Sequence, residues 1–366
     1  MLKIDLHTHI LPERWPDWTK RSGYPGWIEL DHTKPGCACM CQTFASPRST
    51  DPAATPAPFG RRVFREIQAN CWDPAIRLAE CDAAGVTAQV LSTVPVMFSY
   101  WARPQDALDL ARLLNDHIAE LCRNHPTRFA GLGTIPMQDP ELACRELERC
   151  TRELGLSGVQ IGTHVSGVNL GEPSLRPIFD AAQRLDAAVF VHPWDMLAPE
   201  RMTRYWMPWL IGMPTETCIA IHSVLASGML DLLPRLRLAF AHGGGSFPGT
   251  VGRIAHGHIA RPDLCAVDNP RSPLEYLADP SRPQTPARFY VDALTHDEHA
   301  LRTLLRLFSA QRIALGSDYP FPLGETHPGS LIESMPDLDG STRARLLAGT
   351  ALEFLGPAAR RLSENI

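Results

Sequence analysis

The spacing of short apolar runs constrains the fold of this chain more than any other feature of its sequence. Eight runs of strand length alternate with longer segments of helical periodicity, which is the pattern of consecutive βα units. Eight such units predict a (β/α)8 TIM barrel, a fold that takes about 250 residues. The chain has 366 residues. The predicted strands are Lys3–Leu6, Thr87–Thr93, Phe129–Ile135, Gly158–Ile161, Ala187–Val191, Leu236–Ala241, Phe289–Ala293 and Arg312–Leu315.

The segments between these runs carry the signals of helices. Asp106–Arg123 places mostly apolar residues in one helical row, and Pro140–Leu154 directly follows a capping Asp139. Pro248–Ile259 also has the pattern of a helix. Because the sequence contains no internal repeat, we predict a single barrel domain over residues 1–366.

One insertion follows the first predicted strand. Residues Lys34–Pro58 are rich in Pro, Ala, Ser and Thr, which predicts a flexible surface loop within the barrel domain. Cys37, Cys39 and Cys41 lie near its start. A second metal site at these thiols is a weaker alternative, because the Cys-x-Cys-x-Cys spacing matches no closed zinc geometry.

Composition and charge exclude several classes of partner. Lys and Arg number 35 against 40 Asp and Glu, a formal charge of −5 without a basic stripe, so we expect no nucleic-acid partner. The first residues include Asp5 and form no long apolar run, which predicts neither a signal peptide nor a membrane partner. The ten cysteines read as reduced thiols in a chain large enough to fold without disulfides. We therefore expect a cytoplasmic protein.

Five polar residues follow the ends of four predicted strands. His7 and His9 end the first run, and His192, His242 and Asp318 follow the fifth, sixth and eighth runs. Active sites of TIM barrels form where the carboxyl ends of the strands meet, so these side chains are expected to lie together.

The residue types favour a metal centre. Three neutral imidazoles and one carboxylate, from His7, His9, His192 and Asp318, suit Zn²⁺ and leave a position for water. His242 then lies outside the ligand set and serves as a general acid or base, since histidine titrates near neutral pH.

The motifs around these residues resemble the amidohydrolase superfamily. Many two-metal members carry a lysine at the end of strand four, whereas Gly158-Val-Gln-Ile-Gly-Thr-His164 has none, so one metal per subunit is expected. Longer motifs resemble one family within it, the α-amino-β-carboxymuconate-ε-semialdehyde decarboxylases of the kynurenine pathway of tryptophan catabolism. These motifs are His7-Thr-His-Ile-Leu-Pro-Glu13, Asn70-Cys-Trp-Asp-Pro74, Leu91-Ser-Thr-Val-Pro-Val-Met-Phe-Ser-Tyr-Trp101, Gly158-Val-Gln-Ile-Gly-Thr-His-Val165, His192-Pro-Trp-Asp-Met196, His242-Gly-Gly-Gly245 and Gly316-Ser-Asp-Tyr-Pro-Phe-Pro-Leu-Gly-Glu325.

The resemblance implies a reaction and further site residues. It implies zinc-dependent, non-oxidative decarboxylation of 2-amino-3-carboxymuconate 6-semialdehyde to 2-aminomuconate 6-semialdehyde, with His242 beside a metal-bound water. By position, Arg65 and Arg253 would hold substrate carboxylates, and Arg253 would do so across a homodimer interface. Trp209 and Phe321 would line the pocket.

Two other readings stay open. The same scaffold supports decarboxylation of aromatic acids and hydrolysis of lactones or amides, which fold alone does not separate. A catalytically inactive relative that acts as a binding protein is the other alternative. The arginines and the Trp-Asp-Met run favour the semialdehyde decarboxylase, and the intact set of strand-end residues argues against an inactive protein.

Overall fold

A computed structural model of the chain describes residues 1–45, 59–279, 281–282 and 285–364. Its contacts divide the chain into two compact units. The barrel unit comprises residues 1–9 and 81–366, and the insertion unit comprises residues 10–80. The insertion predicted from sequence thus belongs to a longer compact segment that follows the first barrel strand.

The barrel unit confirms the predicted TIM-barrel fold. Among the described residues, eight parallel strands follow one another in chain order around a single sheet. Hydrogen bonds from the Asp318 N–H to the His7 carbonyl (2.9 Å) and from the His9 N–H to the Tyr319 carbonyl (2.8 Å) connect the eighth strand region to the first. The strands are β1 Ile4–Ile10, β2 Ala88–Thr93, β3 Phe129–Gly133, β4 Gly158–Ile161, β5 Ala188–Val191, β6 Arg237–Phe240, β7 Tyr290–Asp292 and β8 Ile313–Ala314.

These strands form because their side chains are buried on both faces of the sheet. All residues of β1, β2 and β5 are buried, as parallel strands covered by helices require. Strand residues such as Leu6, Val90 and Phe190 pack in one core cluster with Phe354 and Leu355 near the C-terminus. This core supports the strand ends that carry the predicted site.

The predicted helices are present with small shifts at their ends. Asp106–Arg123 falls within Pro104–Asn124, and the segment after Asp139 forms Pro140–Arg152, whose first N–H groups bond to the Asp139 carboxylate. The helices are α1 Trp18–Ser22, α2 Pro74–Ala84, α3 Pro104–Asn124, α4 Pro140–Arg152, α5 Arg176–Arg184, α6 Met213–Ala226, α7 Met229–Leu232, α8 Phe247–Ala260, α9 Pro262–Cys265, α10 Glu298–Phe308, α11 Ser330–Ser334, α12 Gly340–Ala344 and α13 Thr350–Leu355.

The insertion unit contains a three-stranded antiparallel sheet of Ile28–Lys34, Cys37–Ala45 and Phe59–Gln68. The prediction of a flexible loop over Lys34–Pro58 is therefore wrong for Cys37–Ala45. That segment is the central strand, and its backbone pairs with a strand on each side. Of the remaining predicted loop, Lys34 ends the preceding strand and Pro35 and Gly36 form the turn, whereas residues 46–58 lie outside the described residues.

All ten cysteines are free thiols in the structure, as predicted. In the described parts of the chain, the search for a helix both long enough and apolar enough to cross a membrane found none.

Candidate metal centre and active site

His7 and His9 lie on β1 with their imidazoles on the same side. Their ring centroids are 5.1 Å apart. Both rings approach one carboxylate oxygen, because Oδ1 of Asp318 lies 2.9 Å from Nε2 of His9 and 3.5 Å from Nε2 of His7. The alternation of side chains along the strand therefore brings both histidines to Asp318, as the sequence predicts.

Three of the imidazoles have one nitrogen fixed by a hydrogen-bond acceptor. In His7, His9 and His192 the fixed atom is Nδ1. The acceptors are, in that order, the carboxylate of Asp292 (2.7 Å) and the carbonyl oxygens of Thr93 (3.0 Å) and Pro193 (2.9 Å). Because these groups accept, Nδ1 carries the proton and Nε2 keeps a lone pair for a cation.

A group of four side chains has the geometry of a metal site. His7, His192, His242 and Asp318 each offer one ligand atom, and all these atoms lie within 4.8 Å of one another. Nε2 of His192 and Nδ1 of His242 are buried, and neither has a hydrogen-bond partner among the described residues. A buried polar atom without a partner costs about 1–3 kcal/mol, which a bound cation would offset. The donor set of nitrogen and carboxylate oxygen fits a transition metal or zinc.

This group of four differs from the predicted ligand set in one member. It includes His242, which we predict to be the acid or base, and it lacks His9, which we predict to be a ligand. Unlike the other three imidazoles, His242 makes no side-chain hydrogen bond with a described residue that would fix its proton. The assignment of His9 as a ligand and His242 as the acid or base stays a prediction.

Burial and neighbouring charges set the protonation states at the centre. Burial alone would raise the pKa of Asp318, but its close contact with His9 and the nearby imidazoles outweigh burial and hold that pKa far below its usual range. Burial lowers the pKa of His192 well below its ordinary value. Burial, reinforced by His7, lowers the pKa of His242 to about 4. Burial would also lower the pKa of His7, but its hydrogen bond to Asp292 and the nearby carboxylates raise that pKa. Neutral imidazoles and an ionised carboxylate are the forms that bind metals, so the pKa shifts of His192, His242 and Asp318 favour a metal at the centre.

Two buried carboxylates next to the centre were missed by the sequence analysis. Asp292 ends β7 and bonds to His7, and these contacts outweigh burial to lower its pKa. Asp5 accepts from the hydroxyl (2.5 Å) and the N–H (3.0 Å) of Ser317, the residue before Asp318, and burial raises its pKa to about 7. The sequence signal that could have identified them is an acidic residue in a strand that is otherwise mostly apolar, Asp5 in β1 and Asp292 in β7.

A cavity of about 540 Å³ opens beside the centre, within the usual size range of small-molecule sites. Its walls include His242, Asp318, Trp209 and His296. Trp209 thus lies on the wall of this cavity. The ring of Phe321 lies 5.5 Å from the ring of His9, centroid to centroid.

The two predicted carboxylate-binding arginines lie in different units. Arg253 is exposed on α8 and forms no salt bridge with a described residue, while Pro248 and Gly249 of the same helix line the cavity. Arg65 is half-buried on the strand Phe59–Gln68 of the insertion unit. The predicted roles of both arginines, of Trp209 and of Phe321 stay predictions.

Sequence comparison identifies the family. A family profile described as amidohydrolase matches residues 4–356, nearly the whole chain. The chain belongs to the amidohydrolase family. The resemblance of the strand-end motifs to amidohydrolases is thereby confirmed.

Two relatives of this amidohydrolase share one name, and more distant relatives are named gamma-resorcylate decarboxylase. A 2-amino-3-carboxymuconate-6-semialdehyde decarboxylase from Dictyostelium discoideum is 53% identical over 355 residues, covering 97% of this chain and 92% of the relative. A protein of the same name from Caenorhabditis elegans is 35% identical over 405 residues, covering 96% of this chain and 94% of the relative.

A solved structure supports the amidohydrolase fold. The 5-carboxyvanillate decarboxylase from Novosphingobium aromaticivorans, complexed with manganese and a nitrobenzoic acid, has a TM-score of 0.69 and 24% identity. The match covers 78% of this chain and 81% of that chain. At this identity the similarity supports the barrel fold alone.

Proposed function

We propose that this amidohydrolase is a metal-dependent decarboxylase that converts 2-amino-3-carboxymuconate 6-semialdehyde to 2-aminomuconate 6-semialdehyde and CO₂. The observation that carries the proposal is the 53% identity, over nearly the whole chain, to a relative of that name. The convergence of His7, His192, His242 and Asp318 supports a metal-dependent reaction.

The reaction breaks one carbon–carbon bond and forms one carbon–hydrogen bond. CO₂ leaves without the bonding electron pair, which stays on the substrate carbon and must be stabilised until a proton arrives. A bound divalent cation supplies a Lewis acid for that negative charge. His242 lies on the cavity wall, and its buried Nδ1 has no hydrogen-bond partner among the described residues, so this neutral imidazole can take up a proton from solvent and pass it to the carbon.

The substrate carries two carboxylates, and we assign one arginine to each of them. A guanidinium offers paired N–H donors that match the two oxygens of a carboxylate. Arg65 and Arg253 are the residues proposed for this role. Trp209, on the cavity wall, and Phe321, beside His9, are proposed to flank the conjugated chain of the substrate.

We propose Zn²⁺ as the native metal, one per subunit, held by His7, His9, His192 and Asp318. Imidazole nitrogens and a carboxylate oxygen are donors that zinc accepts, and with these four ligands a fifth position would be open for water. Manganese is the alternative, because the structural neighbour from Novosphingobium aromaticivorans contains it. Metal analysis of the purified protein, followed by reconstitution with each ion, distinguishes them.

The biological setting is part of the same proposal. We propose a cytoplasmic homodimer in tryptophan catabolism, with Arg253 of each subunit completing the site of the other. Arg253 is exposed on α8 and pairs with no carboxylate in the described part of the chain, which supports a role toward a partner subunit.

The function is tested by following the conjugated semialdehyde by absorbance while CO₂ is measured directly. We expect absorbance to fall with one CO₂ released per substrate, and both to stop after chelation and return with added Zn²⁺. As a control, 5-carboxyvanillate should be turned over far more slowly. Release of CO₂ from 5-carboxyvanillate alone would contradict the proposed substrate.

A further inference from the structure

Asp292 is a buried carboxylate that receives hydrogen bonds from two parts of the metal centre. Its Oδ2 accepts from Nδ1 of His7 at 2.7 Å and from the main-chain N–H of His242 at 2.9 Å. Its Oδ1 accepts from the N–H groups of Gly243 at 2.7 Å and Leu294 at 3.2 Å. Four N–H donors fill the acceptor sites of an ionised carboxylate. One side chain therefore contacts both a candidate ligand and the backbone of the proposed acid or base.

Glycine at position 316 permits this contact. A Cβ at Gly316 would lie 2.8 Å from Cβ of Asp292 and 2.9 Å from Cβ of His7. Both distances are shorter than a normal carbon–carbon contact. Any side chain at this position would push Asp292 and His7 apart.

The backbone at His242 needs the support that Asp292 gives. His242 has a φ of 56° and Gly243 a φ of 61°, which places both in the left-handed region. A residue with a side chain rarely adopts this conformation, because its Cβ approaches the following carbonyl oxygen. The N–H groups of both residues converge on Asp292, which holds the turn after β6 in place.

We infer that Asp292 is a positioning residue that acts on the metal and on the proton transfer together. It keeps the proton of His7 on Nδ1, so that Nε2 stays available to the metal. It also fixes the backbone of His242, so that the imidazole keeps its place on the cavity wall. The second effect rests on the proposed decarboxylase function, whereas the first does not depend on the substrate.

The substitution Asp292→Asn separates this role from simple packing. An amide presents one acceptor and one NH₂ group, so two of the four N–H donors must face another donor. Facing His7, the NH₂ group forces the proton of that ring onto Nε2 and weakens metal binding. Facing Gly243, it loosens the turn that carries His242 and lowers the rate.

The measurements use the whole protein with Co²⁺ and Zn²⁺ as probes. Metal affinity is obtained by competition with a chromogenic chelator, and the visible absorption of the Co²⁺ enzyme reports ligand geometry. We expect the affinity of Asp292→Asn to fall about 10- to 100-fold, the usual effect of removing a group that orients a ligand. We also expect kcat to fall with little change in KM, because Asp292 is not among the residues that line the cavity.

The matched control is Glu146→Gln. Glu146 is another buried carboxylate of the barrel unit, and it does not belong to the metal centre. It accepts a hydrogen bond of 2.7 Å from the side-chain amide of Asn115. Its substitution removes the same charge and should lower the melting temperature while leaving metal affinity and the Co²⁺ spectrum unchanged. A loss of metal affinity equal to that of Asp292→Asn would make the effect one of general stability and would overturn the inference.

A second variant, Gly316→Ala, keeps the carboxylate but separates it from His7, and it decides the question if Asp292→Asn does not fold. We expect weaker metal binding and an altered Co²⁺ spectrum in this variant as well. Wild-type affinity and spectrum in Gly316→Ala, and in Asp292→Asn if it folds, would overturn the inference. A wild-type protein that binds metal but does not decarboxylate the semialdehyde would contradict only the proposed function.

Discussion

His192 and Asp318 are proposed ligands that follow the ends of barrel strands, whereas the core cluster lies along the strands themselves. Changing either residue to Ala should therefore remove the metal and the activity while the barrel remains folded. Metal content per subunit and circular dichroism check both halves of this prediction. His222→Ala, an exposed histidine on α6, is the control and should keep its metal. Full metal content in His192→Ala or Asp318→Ala would remove that residue from the ligand set.

Substitution of His242 should lower the rate without removing the metal, unlike substitution of a ligand. We expect His242→Ala to retain the metal but to lose at least about a hundredfold in rate, the size of a general acid or base contribution. Metal analysis alongside kcat measures both properties in one preparation. Loss of the metal would instead make His242 a ligand, as its place in the four-residue group allows.

For single residues, the sequence predicts those that can be located from the strand on which they lie or which they follow. His7 lies on β1, and His192 and Asp318 follow β5 and β8, so their side chains converge. Asp292 could not be found in this way, because its role depends on the approach of β7 to His7 across Gly316. That contact between distant segments has no local signal in the sequence.

At the scale of elements, hydrophobic periodicity and helix caps predict the strands and helices that depend on residues close together in the sequence. The eight strands and the helix after Asp139 were found because burial pattern and capping chemistry act within a few residues. The strand Cys37–Ala45 was missed because its stability comes from pairing on both sides, which composition does not reveal.

Helix α6 carries a buried acid that should make the stability of the fold depend on pH. Glu216 accepts from the N–H of Leu197 at 2.7 Å, which connects α6 to the segment after β5, and burial raises its pKa. The folded state therefore binds this proton more tightly than the unfolded state does. Its contribution to stability is complete below the unfolded pKa, about 4.3, and is lost as pH rises through the folded pKa.

Glu216→Gln should remove that pH dependence, because the amide oxygen can still accept from Leu197 but cannot ionise. We expect the melting temperature of the variant to rise relative to wild type as pH increases from about 4 to 7. Melting curves across this range check the trend, with Glu120→Gln, an exposed site on α3, as control. A difference that stays constant with pH would contradict the assignment.

At the scale of the whole molecule, the proposed dimer makes each active site depend on a residue of the other subunit. Arg253 is exposed on α8, eleven residues after His242. If each site needs the arginine of the other subunit, activity should fall on dilution as the dimer dissociates. Measurement of specific activity and of oligomeric state over the same concentration range checks this link.

Subunit mixing tests the shared arginine directly. Arg253→Ala and His242→Ala homodimers should each be nearly inactive, because every site lacks one required group. In a mixed dimer, one site combines intact His242 with the partner's intact Arg253, and the other site lacks both. With random exchange of equal amounts, half of the dimers are mixed and one of their two sites works. Recovery should therefore approach roughly a quarter of the wild-type activity, as two-fold symmetry requires.

A second mixture shows whether this recovery reports an arginine shared across the interface. His242→Ala and His192→Ala remove groups that we assign to the same subunit's site, so no mixed dimer of these two variants contains a working site. That mixture should stay inactive under conditions in which differently tagged subunits are shown to exchange. Recovery in the first mixture alone would support the shared arginine. No recovery in either mixture, with exchange demonstrated, would place Arg253 in its own subunit's site or outside catalysis and would leave the carboxylate-binding role to Arg65.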